Sequence, residues 1–222
     1  MLTLVVSDLH LGSPHCQPGR ILTFLNRIPD GTRLILNGDT IDRHPETLPA
    51  SHQVVLDALI AAGERLELVS LAGNHDDLAK SASPPWEIRA EFTIDDQLHI
   101  SHGHRFRLFR SYEARFLPLF RLVLKVAMFL GAPTMHPAAY AKRWPWLYQI
   151  LRRRLRGKAI RHARNHGYAA VTCGHIHFAE DYCEDGIRYL NSGCWTEANT
   201  HCLSIKDGKI RLIENPDRAG FV

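Results

Sequence analysis

The sequence lacks the cysteine patterns that would define a disulfide framework or a structural zinc site. It has five cysteines in 222 residues, an odd number, and no two of them form a C-x-x-C pair. We therefore expect all five to be reduced thiols in a reducing compartment. They are Cys16, Cys173, Cys183, Cys194 and Cys202.

Signals for export and for membrane crossing are also missing. The chain starts with a strand-like run instead of a basic segment and an apolar signal core, so we expect a cytoplasmic protein. The most apolar stretch, residues 112–130, is interrupted by Arg115, Pro118, Arg121 and Lys125. Fewer than about 18 uninterrupted apolar residues remain there, which is too few for a spanning helix.

Acidic residues are nearly absent from residues 105–164. This segment carries fifteen Lys or Arg and a single acid, Glu113, a local balance of +14 in a chain whose net charge is only +4. Its positive field would attract a polyanionic or membrane-associated partner, and nucleic acid is one such polyanion. With 45% hydrophobic residues and no internal repeat or long linker, the rest fits one compact enzyme domain.

Short apolar runs rich in β-branched residues predict strands, with helical patterns between the first three of them. This βαβαβ order predicts a mainly parallel, covered sheet, whose ligand site lies beyond the carboxyl ends of the strands. The predicted strands are residues 2–7, 33–37, 66–71, 98–101 and 169–173, and the predicted helices are residues 18–28 and 51–63.

Each predicted strand is followed or accompanied by side chains that can bind a metal. A single one of these motifs is typical of an ordinary turn or surface loop. Their joint occurrence in one order is what indicates a site, because their side chains include the two carboxylates, one amide and four imidazoles of a ligand set for two divalent ions. The motifs are Asp8-Leu9-His10, Gly38-Asp39, Gly73-Asn74-His75-Asp76, Ser101-His102-Gly103 and Gly174-His175-Ile176-His177.

This ordered set resembles the calcineurin-like metallophosphoesterase superfamily, whose pattern is D-x-H, GD, GNH(D/E), H and GH-x-H. The resemblance covers residues 5–195. It implies an α/β fold, an αββα two-sheet sandwich with an inserted helical cap. We expect the core to comprise residues 1–104 and 165–222, and a helical lid to comprise residues 105–164.

The resemblance also implies a two-metal site that activates water for attack on phosphorus. Asp8, His10 and His177 would hold the first ion, Asn74, His102 and His175 the second, and Asp39 would bridge them. Oxygen ligands combined with imidazoles suit Mn²⁺, Fe or Zn²⁺, and we expect Mn²⁺. Two cations about 3.5 to 4 Å apart lower the pKa of a shared water and clamp the attacking and leaving oxygens.

Four further residues are assigned to catalysis or substrate binding. His75, next to Asn74, is placed to protonate the leaving group. The segment from Gly38 to Arg43 is similar to the GD-x-x-D-R segment of the phosphatase branch, which implies that Asp42 orients His75 and that Arg43 contacts a phosphoryl oxygen. Arg110, in the basic segment, is also predicted to bind substrate.

The apolar part of the basic segment admits three interpretations. If residues 110–125 form a helix, Arg110, Arg121 and Lys125 fall in one narrow arc and apolar residues cover most of the circumference. Such a helix is compatible with burial beneath other helices, with a position on an anionic membrane surface, or with the wall of a pocket for an acyl chain. Aromatic and basic residues alternate further along, at residues 140–156.

A narrower resemblance is to the UDP-2,3-diacylglucosamine hydrolases of lipid A synthesis. The basic insert and the Y-x-N-x-G-x-W-x-E stretch at residues 189–197 carry it. It implies an acylated, lipid-linked nucleotide diphosphate as substrate and a location peripheral to the inner membrane. His75 departs from that group, which frequently has Arg there, and His104 stands where the group often has Asp.

Two other functions stay open at this point. A soluble phosphomonoesterase or phosphodiesterase acting on nucleotides or nucleic acid is favoured by His75 and by the arginines, since Arg in place of His75 could not donate a proton at neutral pH. A non-catalytic scaffold is disfavoured because no ligand is missing. The tail is predicted to form three short strands between residues 187 and 213, with an Asp207-Gly208 hairpin turn, that finish the second sheet.

Overall fold

A computed structural model gives the fold. It describes residues 1–42, 45–76, 86–106, 122–123, 126 and 140–221. The helices are α1 (Pro18–Arg27), α2 (Ala50–Ala62) and α3 (Pro145–His166). The strands are β1 (Thr3–Val6), β2 (Arg33–Asn37), β3 (Glu67–Leu71), β4 (Ile88–Arg89), β5 (Phe92–Ile94), β6 (Leu98–Ile100), β7 (Ala170–Cys173), β8 (Glu180–Glu184), β9 (Ile187–Asn191), β10 (His201–Lys206) and β11 (Lys209–Glu214).

The strands form two sheets. The first has the order β11-β10-β1-β2-β3-β4 and the second the order β5-β6-β7-β9-β8. Strands β1, β2 and β3 pair in parallel, as the βαβαβ pattern predicts, and β6, β7 and β9 are parallel as well. Their carboxyl ends therefore bring several loops to one edge of each sheet.

Alternating side chains on the central strands pack the sheets into layers. On β1, Leu4 and Val6 face the core beneath α1 and α2, whereas Val5 belongs to the core between the two sheets. This period of two is the expected pattern for a strand buried on both faces. Leu155 and Ala159 of α3 pack on β7 and β9 from the other side. The predicted αββα sandwich is confirmed.

The tail is divided between the sheets, which corrects one prediction. Only β9 joins the second sheet, while β10 pairs antiparallel with β1 and β11 with β10, so both extend the first sheet. The predicted turn is present, with Asp207 at φ 50° and Gly208 at φ 72°. The hydrophobic pattern of β10 does not indicate which sheet it joins, because a strand in either sheet has buried positions. Strand β8 (EDYCE) lacks an apolar alternation and was not predicted.

The basic segment is described in part. Arg110 and most of the predicted apolar helix lie outside the described residues. The three described residues of that helix, Leu122, Val123 and Val126, are helical and exposed. Helix α3 continues past residue 164 and ends at Gly167, whose φ of 77° provides a left-handed cap. None of the described helices combines the length and hydrophobicity needed to cross a membrane. All five cysteines are free in the structure.

Candidate metal centre

The predicted motifs lie in loops that follow the parallel strands and bond to one another. Asp8 N donates to Gly38 O at 3.0 Å and His10 N to Asp39 O at 3.0 Å, which joins the loops after β1 and β2. Gly174 N donates to His102 O at 3.1 Å, which joins the loops after β6 and β7. The chain thus brings side chains that are far apart in sequence to one place.

Several of these side chains are carried by left-handed backbone. The non-glycine residues Asp8, His10, Asp39, His175 and His177 have φ between 51° and 69°. Such a conformation costs free energy in a residue other than glycine, and it persists where the surroundings fix it, commonly at functional sites. Here it turns the side chains at the strand ends inward.

Two motif glycines are required by close approach. A Cβ on Gly73 would lie 2.1 Å from Asp39 Oδ1, and a Cβ on Gly174 would lie 2.4 Å from Asp8 Oδ2. Any larger residue at these positions would displace the carboxylates. The glycines of the GNH and GH-x-H motifs therefore make room for Asp39 and Asp8.

The first cluster contains Asp8, His10 and His177, all buried. His177 Nε2 lies 3.1 Å from Asp8 Oδ1 and 3.1 Å from His10 Nε2, and His10 Nε2 lies 3.7 Å from Asp8 Oδ1. The other oxygen, Asp8 Oδ2, accepts the backbone N–H of His175 at 3.1 Å. One carboxylate oxygen and two imidazole nitrogens thus face each other.

The second cluster contains Asp39, His102 and His175. Asp39 Oδ2 lies 3.2 Å from His102 Nε2, while Asp39 Oδ1 accepts the backbone N–H of His75 at 2.8 Å. His102 is oriented through its other nitrogen, Nδ1, which lies 2.8 Å from Asn37 O. Asn74, predicted as a ligand here, is exposed and sits between Gly73 and His75 on the same loop.

The donor set fits divalent cations. Asp8 Oδ1 and His102 Nε2 are buried, yet neither has a hydrogen-bond partner among the described residues, although nitrogen or oxygen atoms lie just over 3 Å from each. Buried polar atoms are rarely left unpaired. Carboxylate oxygens and imidazole nitrogens that converge in this way can bind a metal ion, and this combination of ligands suits the transition ions expected from the sequence.

Electrostatics of the centre also favour positive charge. Burial alone would lower the pKa of His102 and of His177, but the carboxylates of Asp39 and Asp8 reverse this effect and raise both pKa values to about 9. Burial and the neighbouring His102 lower the pKa of His175 to about 3. Two buried carboxylates therefore hold a cationic environment in place, and a bound dication would satisfy the same field.

His75 and Asp42 stand beside the first cluster. Asp42 Oδ1 lies 2.7 Å from His10 Nδ1 and 3.1 Å from His75 Nδ1, so one carboxylate oxygen contacts both rings. The rings of His10 and His75 meet edge to face at 5.0 Å. The contact with Asp42 raises the pKa of His75 above its ordinary value, although burial opposes it. His75 is 38% exposed and can reach a substrate.

Sequence reasoning assigned no role to Asp76, which joins the loops after β2 and β3. Its Oδ2 accepts the N–H groups of Asp39 and Gly73, both at 2.8 Å, and its Oδ1 those of Thr40 and Ile41. Four backbone donors around one buried carboxylate fix the loop that carries Asp39. The signal was present, since Asp76 completes the GNHD motif.

Two predicted substrate-binding residues, Arg43 and Arg110, lie outside the described residues. Conversely, Lys142 and Tyr148 contact the loop of His175 and His177, and Glu197 pairs with Lys142; the sequence analysis assigned none of the three a role in the site. These contacts come from the basic segment and from the chain after β9, whose sequences gave no sign of meeting there.

Comparison with family models shows the family, and comparison with solved structures shows the same fold. The family model described as calcineurin-like phosphoesterase matches residues 1–179. The structure of Yfce, a phosphoesterase from E. coli, is 15% identical and superposes with a TM-score of 0.52, covering 99% of this chain and 96% of that one. Vacuolar Protein Sorting 29 from Cryptosporidium parvum is 11% identical, with a TM-score of 0.50 and coverage of 96% and 95%. No curated protein matches the sequence significantly.

Proposed function

Because the chain belongs to the calcineurin-like phosphoesterase family and is a metal-dependent phosphoester hydrolase, we propose that its reaction takes place at a dinuclear centre made by the two clusters. One observation carries this proposal. In each of the sets Asp8–His10–His177 and Asp39–His102–His175, the potential ligand atoms lie within 4.8 Å of one another. Asp39 would bridge the ions, and Asn74 would complete the second set.

The bound ions would supply a hydroxide at neutral pH and neutralise charge on the phosphoryl oxygens. The chain's own residues do the remaining work. His10 points Nε2 into the first cluster because Asp42 holds its Nδ1, the arrangement by which a carboxylate fixes the tautomer of a ligand imidazole. His75, oriented by the same Asp42, would deliver a proton to the leaving oxygen.

For the substrate we propose a phosphoester or anhydride on an acylated carrier, a lipid-linked nucleotide diphosphate such as UDP-2,3-diacylglucosamine. Support comes from large apolar side chains on the surface of the basic segment, where Trp146 is 65% and Leu122 57% exposed. Arginines accompany them, and apolar surface with cations suits a molecule with acyl chains and phosphates. Arg43 and Arg110 are proposed to contact its phosphoryl groups, and Mn²⁺ is the proposed metal.

A soluble nucleotide or nucleic-acid phosphoesterase is the second candidate, and His75 favours it. An alkoxide is a poor leaving group and needs a proton, whereas a phosphate leaving group does not. The paired Asp42 and the partial exposure of His75 are what such a proton donor requires. The two candidates share the centre and differ in what binds beside it.

The metal centre is tested by Asp39→Asn, with Asp185→Asn at an exposed ion pair as the matched control. We expect Asp39→Asn to lower Mn²⁺-dependent hydrolysis of an aryl phosphodiester by more than the roughly 10- to 100-fold loss typical of an outer partner. Metal analysis should show two dications in the wild type and fewer in the variant. Full turnover by Asp39→Asn, or the absence of bound dications from active wild-type protein, would contradict the proposed metal centre.

A further inference from the structure

The loop of the GH-x-H motif carries two proposed metal ligands in a costly backbone conformation. His175 has φ 69° and His177 φ 55°, with Ile176 between them. A non-glycine residue keeps such a conformation only where its surroundings hold it. The holding contacts on the near side are known: Asn191 Nδ2 donates to Gly174 O at 2.8 Å, and His175 N donates to Asp8.

On the other side, two residues of the basic segment donate hydrogen bonds to the carbonyl groups of Ile176 and His177. The Tyr148 hydroxyl, on the first turn of α3, donates to Ile176 O at 2.5 Å. Lys142 Nζ, just before α3, donates to His177 O at 2.6 Å. The guanidinium of Arg152 lies 3.5 Å above the ring of Phe178, the next residue. Three consecutive residues of the loop are thereby held by one short stretch.

Lys142 is itself fixed by Glu197. Its ammonium lies 2.7 Å and 2.6 Å from the two carboxylate oxygens, so its three donors are all directed to Glu197 and to His177. His177, Cys194 and Glu197 have the spacing of a metal site. Because the Lys142 ammonium is hydrogen-bonded to both carboxylate oxygens of Glu197, we assign this carboxylate to binding Lys142 and not to binding a third metal ion.

We propose that Lys142 and Tyr148 are positioning residues that set the direction of the His175 and His177 side chains, and that Glu197 fixes Lys142 for this purpose. The inference rests on the proposed metal centre. Its consequence is that the basic segment is coupled to metal binding. A molecule that binds to the segment and shifts Lys142 or Tyr148 would change the affinity of the centre for metal.

The principal test is Tyr148→Phe, which removes one hydroxyl and keeps the ring. Tyr182→Phe is the matched control, because Tyr182 lies on β8 under Arg156. Lys142→Met, its conservative counterpart Lys142→Arg, and Arg143→Met at an exposed neighbouring cation form the second set. The measurement is calorimetric titration of chelator-stripped protein with Mn²⁺, followed by the Mn²⁺ concentration that restores turnover of a small aryl phosphodiester.

We expect Tyr148→Phe and Lys142→Met to weaken Mn²⁺ binding about tenfold, within the range for loss of an outer partner. Saturating Mn²⁺ should restore kcat, Lys142→Arg should recover part of the affinity, and both controls should bind as the wild type. Because metal binding also stabilises the folded state, circular dichroism of the metal-free variants is needed to separate this effect from a general loss of folding. Wild-type affinity in both variants overturns the inference, whereas a wild type that binds no Mn²⁺ overturns the proposed function instead.

Discussion

At the residue scale, carboxylates of the centre use their two oxygens differently. Asp8 directs Oδ1 toward His177 and Oδ2 to a backbone N–H, and Asp39 directs Oδ2 toward His102 and Oδ1 to a backbone N–H. One oxygen of each group thus orients the carboxylate, and the other remains directed at the centre. An amide could not replace both oxygens, because its nitrogen would face a donor.

His75→Ala tests proton delivery. We expect the variant to lose about 10²- to 10⁴-fold in kcat on alkyl phosphoesters, the usual contribution of general acid catalysis, and much less on pyrophosphates, whose leaving group needs no proton. Both substrate types should be assayed with the same metal loading. An equal loss on the two would indicate that His75 only supports Asn74 and the loop.

Asp76→Asn tests the connection between loops. The amide keeps one acceptor and places its NH₂ group against two backbone donors, so buried N–H groups lose their partners. We expect the free energy of unfolding to fall by about 2 to 3 kcal/mol, measured by urea denaturation. Asp30→Asn is the control, because the Asp30 side chain is 81% exposed in its ion pair with Arg65. We expect it to change the free energy of unfolding by less than about 1 kcal/mol. Equal effects would contradict this role.

At the element scale, α3 is attached to the second sheet through a histidine contact as well as an apolar one. His99 of β6 is 1% exposed; its ring lies 4.6 Å from that of His162 on α3 and stacks on Tyr168 at 5.2 Å. Burial, with the nearby His162 and His166, lowers the pKa of His99 to about 4, although Glu91 opposes this. The contact between helix and sheet therefore favours the neutral ring.

This contact predicts a pH dependence of stability. Since the folded pKa of His99 lies below the unfolded value of about 6.5, its contribution is complete above pH 6.5 and is lost as the pH falls toward 4, by up to about 3 kcal/mol. His99→Phe should remove that part of the dependence in urea titrations at pH 7 and pH 5. An unchanged slope in the variant would assign the acid sensitivity elsewhere.

At the scale of the whole molecule, the two helical layers differ. Helices α1 and α2 cover the first sheet with a broad apolar core, while α3, which forms the last part of the basic segment, covers the second sheet. The surface at the start of α3 exposes Trp144, Trp146 and Ile150. If the substrate is acylated, as proposed above, this apolar surface is the proposed binding surface for its acyl chains.

Trp146→Ser with Ile150→Ser tests that substrate class. We expect KM for an acylated nucleotide diphosphate to rise at least tenfold, since each buried apolar side chain contributes about 1.5 to 3 kcal/mol, while hydrolysis of a small aryl phosphodiester stays unchanged. Val54→Ser, an exposed apolar residue on α2, serves as control. If both substrates are affected alike, or neither is, the surface does not bind acyl chains.

Much of the fold was predictable because its signals are local. Strand β2 and the start of α1 were predicted to the residue, since a short apolar run marks β2 and Pro18 marks the start of α1. Strand β8 was missed because its EDYCE sequence carries no pattern; its place follows from pairing with β9. Likewise, β10 belongs to the first sheet because it pairs with β1, and its own sequence does not indicate that partner.

The sequence by itself determined the family, the order of the motifs and the chemical nature of the donor set, because each depends on residue types at short spacing. The tertiary structure alone decided that Asp42 contacts both His10 and His75, that Asp76 joins two loops, and that Lys142 and Tyr148 hold the loop of His175 and His177. Such contacts join positions far apart in the chain. Their geometry depends on how the layers pack, which no local pattern encodes.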